Sequence, residues 1–377
     1  MDRRLFFVLL ALPMASATAA GPRQTRTEEA HFVGAQNCSS SSCHGGAGEK
    51  RSQYFTWARR DFHTRAFAIL TNARSERIAS SLGIENATDN SRCTSCHAPL
   101  HAVASTRLAA RIDPNVGVSC ESCHGVAGTW LRGHTRPDWT YATRVGAGMR
   151  DLKSFYVRAN TCVACHQNLE ADLSAAGHPD LIFELDAQSL TQPKHWRDPE
   201  GSGPRAWLAG QAVALRETSW KLAQNPDANP QTLAQWHGLV WLLAKVTASD
   251  ALGARIEPPA AGQAGTFAST QQQADALARR AAKQNLDPAF MRRLHATLAA
   301  TSDEFRETAD APPAILFTRA QRLILALEAL DAETRAGAEH TNALRHDVRT
   351  FTEFDPAQFA AHLEKLRDGP IPATVNE

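Results

Sequence analysis

All eight cysteines of this 377-residue chain lie between Cys38 and Cys165, in four pairs, and a histidine directly follows the second member of every pair. Three segments read Cys-x-x-Cys-His: Cys93, Cys96 and His97; Cys120, Cys123 and His124; Cys162, Cys165 and His166. The remaining one, first in the chain, encloses four serines between Cys38 and Cys43 and is followed by His44. Zinc sites also use Cys-x-x-Cys pairs, but usually two pairs per ion and with no histidine required after each. A thioredoxin-like redox pair occurs once, in a βαβ setting. Disulfides leave the histidines without a role. Covalent haem accounts for every residue: two thiols add to the two vinyl groups of one porphyrin, and the next side chain falls beneath the ring to ligate its iron. The pattern predicts four c-type haems. At the first site the extra serines can bulge outward while both sulfurs reach the ring; a Cys38–Cys43 disulfide with three haems is the alternative.

The porphyrin and the proximal histidine leave one position on each iron. A second histidine there gives a closed site suited to electron transfer, whereas an open position allows ligand binding and catalysis. Ten histidines fall between His31 and His195, and only five follow. Beyond the four proximal ones, His31, His63, His101, His134, His178 and His195 are candidates for the sixth position. His237, His295, His340, His346 and His362 read as ordinary residues of a helical region.

Gly117-Val-Ser-Cys-Glu-Ser-Cys-His-Gly125, the Phe62-His63-Thr-Arg-Ala66 segment and four haem motifs in this order resemble the cytochrome c-554 family over about residues 31–200. That family shares its haem packing with hydroxylamine oxidoreductase and pentahaem nitrite reductase. The resemblance implies that His63 caps the haem on His124, that His134 caps the haem on His44, and that His178 caps the haem on His166, with His195 as its rival. The second haem of the family's namesake is five-coordinate. Here His101 follows His97 too closely to reach the opposite face of the same ring easily, so the His97 haem stays open as a question.

Arg3 and Arg4, an apolar stretch from Leu5 to Pro13 and small residues around Ala17-Thr18-Ala19 form the pattern of a cleaved secretory signal peptide over residues 1–20. The apolar run is short for a membrane span. A periplasmic protein is the expectation. Lys and Arg total 40 against 39 Asp and Glu, so no strong field points to nucleic acid. Haem propionates would add negative charge, which predicts an acidic docking face.

The fold class expected is mainly α: a tetrahaem cytochrome domain with little regular sheet over 21–200, then an α-helical bundle over 205–377. Short helices are expected at Gln53 to Ala73 and around Asn160 to Ala176, with the porphyrins supplying much of the core. Asp198-Pro-Glu-Gly-Ser-Gly-Pro204 reads as a linker. Beyond it, Trp207, Gln211, Ala214, Leu215 and Leu222 can share a helix face, as can Trp236, Leu239, Leu243 and Val246. Met291, Leu294 and Leu298 follow Asp287-Pro288, a capped helix start, and Leu316, Leu323, Leu327 and Leu330 follow Pro312-Pro313. Trp207, Trp220, Trp236 and Trp241 read as core packing, and Arg255 to Gly265 as an exposed loop.

The leading functional expectation is an electron carrier working between a redox donor and acceptor. Its rival is a redox enzyme acting on a small nitrogen compound at an open His97 haem. A third reading is an accessory subunit of a membrane-associated redox complex, docked through the helical half.

Overall fold

The computed structural model describes residues 31–199, 201–225, 229–258, 266–306, 311–331 and 341–368. The leader expected over 1–20, His340 and most of the Arg255–Gly265 stretch lie outside them. Among the described residues the protein is helical, and the only strand-like pairing is an isolated parallel bridge between Phe32 and Leu108.

The first half is a series of short helices: α1 (Gln53–Arg60), α2 (Ala66–Ile69), α3 (Ala73–Ser81), α4 (Ser91–His97), α5 (Cys120–His124), α6 (Tyr141–Gly146), α7 (Phe155–His166), α8 (Ala171–Ala175) and α9 (Leu185–Thr191). Their starts are set locally. The side chains of Asn72, Asn90 and Ser154 accept from backbone N–H groups of α3, α4 and α7, and at the start of α5 the Ser119 N–H donates to Ser122 Oγ at 3.3 Å. The helix expected over Gln53 to Ala73 is broken at Asp61, whose carboxylate accepts from the His63 N–H and so caps a new turn. That expected around Asn160 to Ala176 begins earlier, at Phe155, and stops at His166; Asn168, at φ 59°, turns the chain before α8.

Seven further helices follow: α10 (Gly203–Gln224), α11 (Pro230–Val246), α12 (Thr266–Ala281), α13 (Pro288–Ala299), α14 (Pro313–Asp331), α15 (Asn342–Asp347) and α16 (Pro356–Asp368). α10 packs along α12 and also against α7, α9, α11 and α14. The residues read on one of its faces, Trp207, Gln211, Ala214, Leu215 and Leu222, are all buried, and so is every residue from Ala206 to Leu215. Over that stretch the helix is enclosed by neighbours and has no solvent stripe to display. The faces expected on α11, α13 and α14 are buried as read, and Asp287 caps α13 through the Ala289 N–H at 3.2 Å. Trp207, Trp236 and Trp241 are core residues, with Trp236 Nε1 donating to Ser219 Oγ and Trp241 Nε1 to Glu304. Trp220 differs: it sits on the outside of α10 and is 47% exposed.

One continuous apolar cluster runs through α10 to α16 and includes Phe155, Ala159 and Val163 of α7 and Phe183 and Leu185 at the start of α9. The segment read as a linker is anchored at both ends. Asp198 pairs with Arg158 of α7 at 2.8 Å and accepts from Trp196 Nε1, while Gly203 and Pro204 open α10. Upstream of α7 the apolar clusters are small, one around Val33, Ala127 and Trp130 and one around Leu70, Ala79 and Ala87.

Candidate haem-ligand pairs

In three of the four motifs the cysteines and histidine occupy one helical stretch at the end of α4, α5 and α7. Residues three and four apart on a helix face the same side, so the two thiols and the imidazole project together. The first motif reaches the same end by a turn: the Cys43 N–H bonds to Ser40 O, the His44 N–H bonds to Cys38 O, and Ser40 to Ser42 bulge outward. Cys38 and Cys43 are both free thiols, as are the other six.

Each motif histidine faces one other histidine. The ring centres are 6.3 Å apart for His44 and His134, 6.1 Å for His63 and His166, 6.3 Å for His97 and His178, and 6.2 Å for His124 and His195. Two imidazoles that bind one iron from opposite faces, each nitrogen about 2 Å from the metal, put their ring centres roughly 6.3 Å apart. Direct stacking of aromatic rings needs no such uniform value, and the interplanar angles here run from 19° to 84°. The shared quantity is the spacing, which fits an iron between each pair.

The other ring nitrogens support the same reading. His97 Nδ1 donates to Ala66 O at 2.9 Å and His178 Nδ1 to Pro179 O at 2.8 Å. His134 Nδ1 bonds to Leu131 O, and His44 Nδ1 to Gln53 Oε1 at 3.1 Å. His63 Nδ1 donates to Asp61 at 2.9 Å. Gln188 lies 3.5 Å from His166 Nδ1, and turning its amide over brings its Oε1, otherwise buried without a partner, onto that nitrogen. His195 Nδ1 is buried without a hydrogen-bond partner. Holding Nδ1 in this way fixes the tautomer and leaves Nε2 for a metal, the usual arrangement around ligating histidines. Among the described residues none of the eight Nε2 atoms has a protein hydrogen bond. Burial also pushes His97, His166 and His195 below the ordinary imidazole range and His124 down to about 4, so these rings are neutral at pH 7. The neutral ring is the form that can ligate.

The geometry changes three of the pairings that the resemblance implied. His63 faces His166, not His124. His178 faces His97, not His166. His195 faces His124, not His166. Only His134 stands where it was expected, opposite His44. The cause lies in the route of the chain. Segment 61–66 passes between α4 and the fourth motif, so its histidine meets α7, while the segment Gly117–Ser119 lies along its backbone. Gly117 permits that contact: at φ +75°, a Cβ there would come within 2.5 Å of His63 O, and the Val118 N–H donates to that same oxygen at 2.9 Å.

Of the other candidates, His101 stacks on Phe67 at 5.7 Å and its Nε2 bonds to Asn115. His31 is exposed. In the helical half His295 pairs with Asp331, and His362 Nδ1 pairs with Asp347 at 2.6 Å. Three supporting residues had no signal in the sequence. Glu121, between the two cysteines of the third motif, is buried and accepts from the backbone N–H groups of Val33, Gly34 and Ala127, tying that motif to the chain before the first. Asp61 is held by the His63 ring and by Gln192 Nε2. Burial pushes its carboxyl up, but these hydrogen bonds outweigh it and hold the group at about 2. Gln188 is the third. Buried acceptors flanking a motif are the only cue that could have found them.

Thiols of different motifs also lie near one another: Cys38 near Cys120, Cys96 near Cys165, and Cys123 near Cys162.

Residues 37–125 match the family model for cytochrome c554 and c-prime. The match takes in the first three motifs and His63 and stops before His134, a shorter stretch than the resemblance read from the sequence. No curated protein and no solved structure matches the chain.

Proposed function

We propose that this chain is an exported tetrahaem c-type cytochrome that passes electrons between redox partners through four closed haem sites. The observation that carries the reading is the set of four histidine pairs at one common spacing. A c-type haem supplies an iron that cycles between ferrous and ferric states without making or breaking substrate bonds. The chain's part is to hold it. Cys38 and Cys43, Cys93 and Cys96, Cys120 and Cys123, and Cys162 and Cys165 would anchor the porphyrins. His44 with His134, His97 with His178, His124 with His195 and His166 with His63 would supply the axial nitrogens.

Two histidines per site leave no position for a small substrate. That weighs against catalysis at the His97 site, because His178 stands opposite it. The nearness of thiols between the first and third, the second and fourth, and the third and fourth motifs supports close approach of the sites. The proposed organisation is a leader over 1–20, a cytochrome region over 21–200 and a helical region over 205–377, with the periplasm as location. No helix among the described residues is long and apolar enough to cross a membrane.

The test is the intact mass of purified holoprotein with its reaction to carbon monoxide. Four haems per chain, low-spin spectra in both oxidation states and no carbon monoxide adduct are expected. A high-spin fraction near one haem in four would replace this reading with the catalytic one.

A further inference from the structure

The outer surface of α1, α2 and the turn between them presents Phe55, Phe62 and Ile69 to solvent, with Phe62 75% exposed. Arg59 lies over the Phe55 ring and Arg65 over the Phe62 ring, each at 4.8 Å. Arg59, Arg60 and Arg65 are exposed and have no acidic partner among the described residues. The adjoining α3 adds Arg74 and Arg77 against Glu76 alone. Elsewhere Arg92, Arg136, Arg197, Arg306 and Arg345 each meet a carboxylate, while Arg292 and Arg293 of α13 stand without one but beside no exposed aromatic ring.

The same segment touches the sites. Its His63 faces His166, its Ala66 carbonyl accepts from His97 Nδ1, and Trp57 Nε1 donates to Val118 O just ahead of the third motif. The exposed Phe62 is thus next in the chain to a residue that faces the fourth motif and four residues from one bonded to the second. Uncovered aromatic rings with stacked guanidinium groups form the composition enriched at the centres of protein interfaces. Unpaired positive charge at the rim speeds the approach of a negative partner.

We propose that the face formed by Phe55, Phe62, Ile69, Arg59, Arg60 and Arg65 docks an acidic redox protein and is an entry point for its electrons. Its sign is opposite to that expected from propionate charge alone. The inference rests on the electron-transfer reading, which it deepens. Each productive encounter moves one electron: the partner is oxidised by one and one ferric site is reduced.

The test uses oxidised holoprotein and, as donor, the hydroquinone form of an acidic flavodoxin, which is oxidised to its semiquinone by giving up one electron. A neutral flavin radical serves as the small donor. Arg59→Glu/Arg65→Glu is expected to slow the flavodoxin reaction about tenfold or more at low ionic strength, to approach the wild-type rate in high salt, and to leave the neutral flavin rate unchanged. Phe62→Ser, a substitution at an exposed side chain, is expected to slow flavodoxin at every ionic strength. Wild-type flavodoxin rates in both variants would overturn the proposal. So would equal losses with both donors. Salt-sensitive binding to phosphatidylglycerol vesicles with unchanged flavodoxin rates would overturn it in favour of a membrane surface. Spectra of the starting protein separate the two levels: low-spin haem inert to carbon monoxide keeps the electron-transfer reading standing even where the docking face fails.

Discussion

The region before α7 and the region after it bury their side chains differently. Residues 31–150 contain two small apolar clusters, whereas α7 and α9 to α16 share one core that includes fully buried Trp207, Phe183, Phe305 and Phe359. The difference teaches where folding energy comes from. Burial of apolar area stabilises by about 25 cal/mol per Å², so a region with few buried side chains needs apolar surface from another source. On the reading proposed above, the histidine pairs and cysteines of the first region would hold porphyrin faces where side chains would otherwise meet. The fourth motif is the seam, because its helix has one side in the histidine set and the other in the bundle.

The hardest test of this contrast is to produce the chain without haem. We expect residues 31–150 to lose their helical structure and to be cut readily by protease, while α10 to α16 resist. Equal protection of both regions would break the contrast. His178→Gly comes next. It should convert about one haem in four to a high-spin, carbon monoxide-binding form, while His101→Ala should change neither spectrum nor ligand binding. The reverse result would return His101 to the ligand set.

Glu184 tests the bundle side. It is buried at the start of α9, accepts from the Asp186 and Ala187 N–H groups, and has the buried Arg322 nearby. Burial pushes its carboxyl up to about 7 in spite of those hydrogen bonds and of Arg322, which burial pushes down to about 10. The folded state therefore holds a proton that the unfolded chain releases near 4.5. Stability should be greatest below that value and fall as pH rises toward 7, by about 3 kcal/mol for this one group. Thermal midpoints against pH should show the slope, and Glu184→Gln should flatten it. Gly117→Ala sharpens the other side, since its methyl would press on the His63 and Thr64 carbonyls. A loss of about 1–3 kcal/mol is expected, read as a lowered melting point together with a disturbed low-spin signal from one haem. The smallest effect is that of Asp61→Asn. Weakening the acceptor on His63 Nδ1 should raise the reduction potential of one haem and leave the other three in place.

Much of this was legible in the residues. The strict spacing of the motifs picked out His44, His97, His124 and His166 one by one, and the surplus of histidines around them pointed to partners for those rings. His63, His134, His178 and His195 all stand opposite a motif histidine. Which one faces which was not readable, because pairing depends on how distant segments cross, and that crossing is decided by contacts such as Gly117 against His63 O. In the bundle, α13 keeps a wet side, with Arg292, Arg293, Ala296 and Thr297 exposed, and so carries a clear period. The stretch Ala206 to Leu215 of α10 carries none, and Trp220, on the outside of the later turns, could not be told from Trp207.

The order in which partners occur along the chain has a consequence for biogenesis. His134, His178 and His195 all come after the motifs they face, while His63 precedes His166. In the proposed exported holoprotein, with the amino terminus crossing first, the first three motifs would each wait for the histidine they face, and the fourth alone would meet one already across. Completion of the set would be postponed until the stretch around His195 arrives, and truncation before it would leave His124 without its facing ring.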